Sequence, residues 1–585
     1  MFKGLLFFIK QGWKYDKLYI LWRVFYQFVN SMIPIAATLA PKYIIDELLG
    51  QKRPEKLLLY VGILAGYTFI ATILSCYFSM DGFTRRCKVN AEFDSDLHKK
   101  IYEADYENLE NPAFLDMQEK AKKFLYCDWH GFGYLLDSAL NIIGQTFTLI
   151  GIAAIIASFN IWLILLFALL AFAGTVIEGS ARKKAMKLSE AISANQRGWM
   201  YFAKLFEDFG NGKELRLNTM GKWLLKTERE YFTCSNENLK KQNDGYIKSG
   251  VTGAFFTFIQ QCAAYGYLIR STIEGAISIG SFTMYIGSVT VFASSLRSLM
   301  DSLVEIHAYD MYYDNLDKYL SVPAALRSGK SRPVPKSGHI IEFRNVSFKY
   351  AGQVGYALKN INLTIASGQK LSIVGENGAG KSTFVKLLTR LYDPTEGTIL
   401  LDGVNIQDID YDSYMSVFSA VFQDFKLFAF SLKENVALSL PLDEQKVEET
   451  LRRVGFGEKL ATLEKGIDTP VYKIFDENGF EPSGGEGQKI ALARALYKNA
   501  PVMVLDEPTA ALDPRAEYEI YQHFNELAEG KTAVYISHRL SSSKFCDKIA
   551  VFDNGMLAEY GTHDELILQN GKYAELFNMQ SQFYV

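Results

Sequence analysis

Apolar residues in the first half of the chain fall into long runs, and in the second half into short ones. Six stretches before residue 307 reach the roughly 20 apolar residues that a membrane-crossing helix needs: 18–40, 57–80, 135–157, 160–178, 248–270 and 280–306. Several carry polar side chains: Arg23, Gln27 and Asn30 in the first, Gln260 and Gln261 in the fifth, Asp301 and Glu305 near the end of the sixth. A lone helix in lipid tolerates these poorly, so the pattern predicts a helical bundle with a polar interior. Long charged segments follow the second and fourth stretches, at 81–134 and 179–247. Apolar residues recur in them at helical spacing, as at Leu215, Leu217, Trp223, Leu224 and Leu225, which predicts spanning helices that continue past the membrane. Arg85, Arg86, Lys88 and Arg182-Lys183-Lys184 place both segments and both termini on the cytoplasmic side. The loop 41–56, with Lys42, Lys52, Arg53 and Lys56, runs against that assignment.

After residue 338 the period changes. Val346-Ser347-Phe348-Lys349-Tyr350 alternates like a strand. The runs 371–374, 502–505 and 534–537 read as buried strands, and a further apolar run, 417–422, leads to Gln423. A Pro-, Ser- and base-rich linker at 328–337 divides the halves. The expected organisation is a membrane domain at 1–320, a linker at 321–338 and a nucleotide domain at 339–585. The first residues, MFKGLLFFIKQGWKYDK, read as an amphipathic helix on the membrane surface, with Trp13 and Tyr15 at the interface. A net charge of −3 gives no sign of a nucleic-acid-binding surface. The six cysteines are scattered, with no metal-ligand spacing.

Chemistry concentrates in the second half. The word GENGAGKST, Gly375–Thr383, follows a buried strand and opens a helix. Gly375, Gly378 and Gly380 let backbone N–H groups turn toward phosphates, and the helix adds its positive end. Lys381 would reach the β- and γ-phosphates, and the Ser382 hydroxyl would hold Mg²⁺. Asp506 and Glu507 end another buried strand, and two adjacent carboxylates there are costly for structure alone. About a hundred residues past the phosphate loop stands Pro482-Ser483-Gly484-Gly485-Glu486-Gly487-Gln488. Ser483 can cap a helix starting there, and the two glycines let amides approach a phosphate.

The two words together resemble the ATP-binding cassette (ABC) ATPases. The resemblance implies an ATP site with Tyr350 stacked on adenine and Gly375, Asn377, Gly378, Ala379, Gly380, Lys381, Ser382 and Thr383 around the phosphates. It implies Mg²⁺ on Ser382, Gln423 and Asp506, and Gln423 at the attacking water. Glu507 would be the general base, His538 would bond the γ-phosphate, and Asp513 would sit at the dimer contact. Ser483, Gly484, Gly485 and Glu486 would close over ATP held by a second subunit. Here Pro482 and Glu486 replace the common Leu and Gln of that word; the carboxylate can accept a ribose hydroxyl, and its charge predicts a modest effect on affinity. The segment 472–481 before it would sense the partner's coupling helices, which 106–114 and 208–213 resemble.

Six spanning helices followed by one cassette resemble an ABC exporter half-transporter: a helical transmembrane bundle joined to an α/β P-loop NTPase of ABC type. That implies ATP hydrolysis coupled to export by alternating access in a dimer, with a second copy of the chain or a different half-transporter as partner. The implied setting is a bacterial cell membrane with the cassette in the cytoplasm. The first span begins near residue 18, so no peptidase domain is expected ahead of it. The spanning half is rich in aromatics, among them Phe25, Phe69, Tyr77, Phe78, Phe255 and Phe258, which suit either a cavity for an amphipathic cargo or a lipid-facing surface. The cargo reading leans to a peptide or multidrug compound. A lipid flippase of the same build and an ATP-gated channel or sensor are the alternatives, while a soluble DNA-handling ATPase fails on the six apolar runs.

Overall fold

The computed structural model describes residues 3–126, 133–159, 162, 169, 198–327, 332–335, 338–506, 530–536, 540 and 542–581. These form two compact units. One comprises Met1–Lys100 and Asp116–Ser321, the other Ile101–Leu115 and Val322–Val585.

The first unit is helical. Its described helices are α1 (Lys3–Tyr15), α2 (Lys17–Leu49), α3 (Pro54–Glu103), α4 (Tyr106–Glu110), α5 (Pro112–Tyr126), α6 (Gly133–Ala157), α7 (Gly212–Leu217), α8 (Gly221–Ile273) and α9 (Ile279–Leu320), with α4 assigned to the second unit. Helix α1 buries Gly4, Phe8 and Gly12, one per turn, on a single face. Asp16 ends it and caps α2, accepting from the N–H groups of Leu18 and Tyr19 at 3.0 and 3.2 Å. Helices α3 and α8 run 50 and 53 residues. At about 1.5 Å per residue each is some 75–80 Å long, well beyond the roughly 40–45 Å of a bilayer with its headgroups. The expected extension past the membrane is therefore built in.

Four described helices are long and apolar enough to cross a membrane: α2, α3, the Leu135–Ala157 part of α6 and the Ile279–His307 part of α9. The fourth expected span, 160–178, lies outside the described residues apart from Trp162 and Leu169. The fifth lies within α8, which is not among the four because polar residues, Gln260 and Gln261 included, dilute it.

The polar residues of the other spans pair across helices. Arg23 on α2 forms an ion pair with Asp137 on α6, which also accepts from Arg86 on α3. Gln27 donates to Asn141, whose amide donates to Ser298 and Ser302 on α9, each at 2.9 Å. Ser75 donates to Asn30, and Ser138 to Glu305. Each pair ties two helices where unpaired polar groups would be costly. Among the aromatics, Phe78 is buried, while Phe25, Phe69, Tyr77, Phe255 and Phe258 are exposed.

The second unit is α/β. Strands β1 (Ile341–Phe348), β2 (Leu358–Ile365), β4 (Glu396–Leu401) and β5 (Val404–Asn405) form an antiparallel sheet in the order β2-β1-β4-β5. Strands β3 (Lys370–Val374), β6 (Phe418–Val421), β7 (Val502–Asp506), β8 (Thr532–Ile536), β9 (Lys548–Asp553) and β10 (Met556–Gly561) form the other, in the order β10-β9-β3-β8-β7-β6. Its pairs are parallel except β9–β10. Every residue of β7 and β8 is buried, which is why they read as unbroken apolar runs. The core between the sheets is marked by Phe384, stacked on Phe343 at 4.5 Å and tilted against Phe552 at 5.4 Å.

Candidate functional site

The phosphate loop leaves β3 and enters the helix Lys381–Leu388. Its glycines are required by geometry. Gly380 caps the helix in the left-handed region (φ +102°), and a Cβ there would meet Leu358 Cδ2 at 2.7 Å. A Cβ on Gly375 would meet the Phe552 carbonyl at 2.3 Å. No side chain caps this helix, so its first N–H groups are left for a ligand. The Lys381 ammonium is held by the carbonyls of Gly375 and Glu376, at 2.8 and 2.9 Å. An ammonium among carbonyl oxygens is poised for phosphate oxygens of the same chemistry.

A cleft of about 660 Å³ opens there, lined by Tyr350, Ala357, Asn377, Gly378, Gly380, Lys381, Ser382, Thr383 and Gln423. These include most of the residues the sequence pattern picks out for ATP. Ala379, within the loop, is buried. Gln423 follows β6 and is exposed to the cleft. Asp506 ends β7, which pairs with β6 on one side and β8 on the other, and is buried. Glu507, Asp513 and His538 lie outside the described residues.

Tyr350 borders the cleft, its hydroxyl 3.0 Å from Thr383 Oγ1. Its ring packs edge-on to Phe348 and Tyr392. The Lys386 ammonium lies 5.4–5.6 Å from the rings of Tyr350, Tyr392 and Tyr106. Tyr106 opens α4, and Glu110 at its end bonds Lys386 Nζ at 2.8 Å and accepts from the Tyr392 hydroxyl. Burial alone would raise the Glu110 pKa, but these donors hold it below its usual value. Asp105, just before α4, accepts from the N–H groups of Ala325 and Leu326. Thus the first expected coupling segment packs inside the nucleotide unit. The second is a helical turn at Phe209–Asn211 followed by α7, with Asp208 accepting from the Gly210 N–H at 2.8 Å.

The signature word opens the helix Gly484–Lys498. Ser483 is the N-cap and closes a capping box: its hydroxyl accepts from the Glu486 N–H at 3.3 Å, and the Glu486 carboxylate accepts from the Ser483 N–H at 2.8 Å. Lys459, on the helix Gly457–Thr462, pairs with Glu486 Oε1 at 3.2 Å. Ser483 and Gly484 are exposed. Burial works to raise the Glu486 pKa, but Ser483 and Lys459 hold it below its usual value.

Sequence reasoning missed Lys386, Tyr392 and Lys459. Glu110 and Lys386 are 276 residues apart, so no local pattern joins them. The departure at Glu486 was a signal that an unusual charge needed a partner, but not where that partner lay.

Residues 358–510 match the family model described as ABC transporter. The subtilin transport ATP-binding protein SpaT of Bacillus subtilis is 29% identical over 97% of this chain and 93% of its own length. ATP-dependent lipid A-core flippases of Burkholderia orbicola and Haemophilus influenzae are 39% and 40% identical, each over 43% of this chain and 42–43% of their own length. A bacterial Atm1-family ABC exporter solved with ATP bound shares the fold with a TM-score of 0.83. It is 21% identical, covering 96% of this chain and 98% of that one.

Proposed function

We propose that this chain, an ABC transporter with the exporter fold, pairs with a second copy of itself and expels a peptide from a bacterial cell. One observation carries the coupling of ATP to transport: α4, which follows directly on the long helix α3, packs in the same compact unit as the nucleotide cleft, with Glu110 and Tyr106 against the Lys386–Tyr392 patch beside Tyr350. A change at the cleft therefore reaches the end of a helix that also belongs to the membrane half.

In this reading ATP enters the cleft with its adenine on Tyr350 and its phosphates on the loop Gly375–Thr383. Ser382, Gln423 and Asp506 would hold Mg²⁺. A hydroxyl, an amide carbonyl and a carboxylate are the hard oxygen donors that ion prefers. The ion would rest on these few oxygens and the substrate's own phosphates. When bound, it neutralises charge developing on the transferred group. Glu507 takes a proton from the attacking water, and His538 steadies the γ-phosphate. The Ser483–Glu486 end of the partner, exposed at Ser483 and Gly484, completes the site, and Asp513 lies at the contact. Closure then drives the bundle outward, and hydrolysis resets it.

A peptide cargo is supported by the relative named for subtilin transport, which matches along nearly the whole chain, membrane half included. The lipid flippases match over less than half. ATP-dependent uptake of labelled hydrophobic peptides into inside-out vesicles carrying the chain tests this. Peptide accumulation supports the reading; transfer of a labelled lipid across the bilayer with no peptide uptake would replace it with flippase activity.

A further inference from the structure

We infer that Lys459 is a positioning residue of the composite ATP site, neutralising Glu486 so that the signature helix still presents a positive end to the phosphates held by a partner. The inference rests on the proposed closure of Ser483–Glu486 over a second subunit's ATP. At that end of the helix a carboxylate is out of place for binding an anion. It sits in the first turn, beside the N–H groups that a phosphate would use. The structure shows how the charge is contained. One carboxylate oxygen accepts the Ser483 N–H at 2.8 Å. The other faces the Lys459 ammonium at 3.2 Å. The carboxylate is thus turned back into its own subunit rather than held out for a ribose hydroxyl.

Lys459 is placed for this by its surroundings. Its helix is anchored by buried Leu460, after buried Phe456, which packs edge-on to Phe480 at 6.1 Å. The ammonium lies 4.9 Å from the Phe480 ring. Phe480 itself stands three residues before Ser483, so the cation, the ring and the signature word form one local group. The first cation on the signature helix itself, Lys489, is committed elsewhere, donating to the Gly455 carbonyl at 3.0 Å. Removing Lys459 leaves an uncompensated carboxylate facing the triphosphate. Removing the Glu486 charge as well abolishes the need for the lysine. Gln at this position keeps the capping box, since that motif accepts Glu or Gln.

The test is ATP turnover by the purified full-length chain in nanodiscs, for Lys459→Met, Lys459→Arg, Glu486→Gln and the double variant Lys459→Met/Glu486→Gln. Lys459→Met should raise the KM for ATP about 3- to 10-fold, the scale of one unscreened charge near the site. The increase should shrink as salt is added. Lys459→Arg, and Glu486→Gln placed in the Lys459→Met background, should each rescue the KM. A packing role would instead lower the thermal midpoint of Lys459→Met and leave its KM defect in place in the double variant. Ser483→Arg separates the two claims. If it turns over normally, the composite-site reading fails and this inference with it. If Ser483→Arg is silent but Lys459→Met keeps the parental KM, or stays impaired with Gln at 486, the inference alone is overturned.

Discussion

Two helix N-termini that the proposed function gives to ATP are finished differently in this chain. The helix at Lys381 begins from a left-handed glycine with no side-chain cap, so its N–H groups are open. The helix at Gly484 is closed by its own Ser483 and Glu486, with Lys459 on the outside. An open end with an ammonium beside it binds phosphate within one chain. A self-capped end has its donors partly satisfied, so a phosphate must compete for them, and that competition suits a surface engaged only when a second subunit closes. Under the proposed function, the difference gives affinity to the first site and timing to the second.

The largest effect that would break this division is at Lys381. Lys381→Ala removes the ammonium at the loop and should weaken ATP binding by about 100-fold or more, on the scale of a lost charge-assisted contact. Retained tight binding, measured by equilibrium titration, would mean that the loop is not the primary phosphate site. Next comes Ser483→Arg, which should stop steady-state hydrolysis while leaving ATP affinity within about twofold, because the cap is not part of the first site. A matching loss of affinity would merge the two sites into one. The smallest effect is expected at Gly380→Ala. Its φ of +102° and the 2.7 Å approach to Leu358 should cost about 1–3 kcal/mol of stability. Calorimetry should show a lowered midpoint, restored in part by ATP. An unchanged midpoint would show that the loop can relax without its glycine.

Much of this was legible in the sequence because it is local. The expected strands 371–374 and 502–505 stand as β3 and β7, and 534–536 lies in β8, with Ser537 outside the described residues. Ser483 caps the helix that its position predicted. The phosphate loop is strand, turn and helix in sequence, so one window of the chain holds it. The parts that were not legible are the long-range pairings. Arg23 and Asp137, or Glu110 and Lys386, meet only because helices pack, and nothing near either residue names the other. The six apolar runs appear as four described helices fit to span, since Gln260 and its neighbours dilute α8 and most of 160–178 lies outside the described residues. The signature word marks Glu486 as a candidate acceptor for a ribose hydroxyl but does not name the cation beside it. Its carboxylate lies against Ser483 and Lys459, and the lysine lies 27 residues upstream, beyond the reach of any local motif.

The most direct measurement of the central claim, that two copies of this chain build each ATP site, is turnover by a mixture of two inactive variants. Lys381→Ala supplies an intact signature end and Ser483→Arg an intact phosphate loop. Co-assembled in one nanodisc, they should regain hydrolysis that neither shows alone, because one of the two composite sites is then complete. A mixture as silent as its parents, while the unaltered chain turns over, would contradict a site shared between copies.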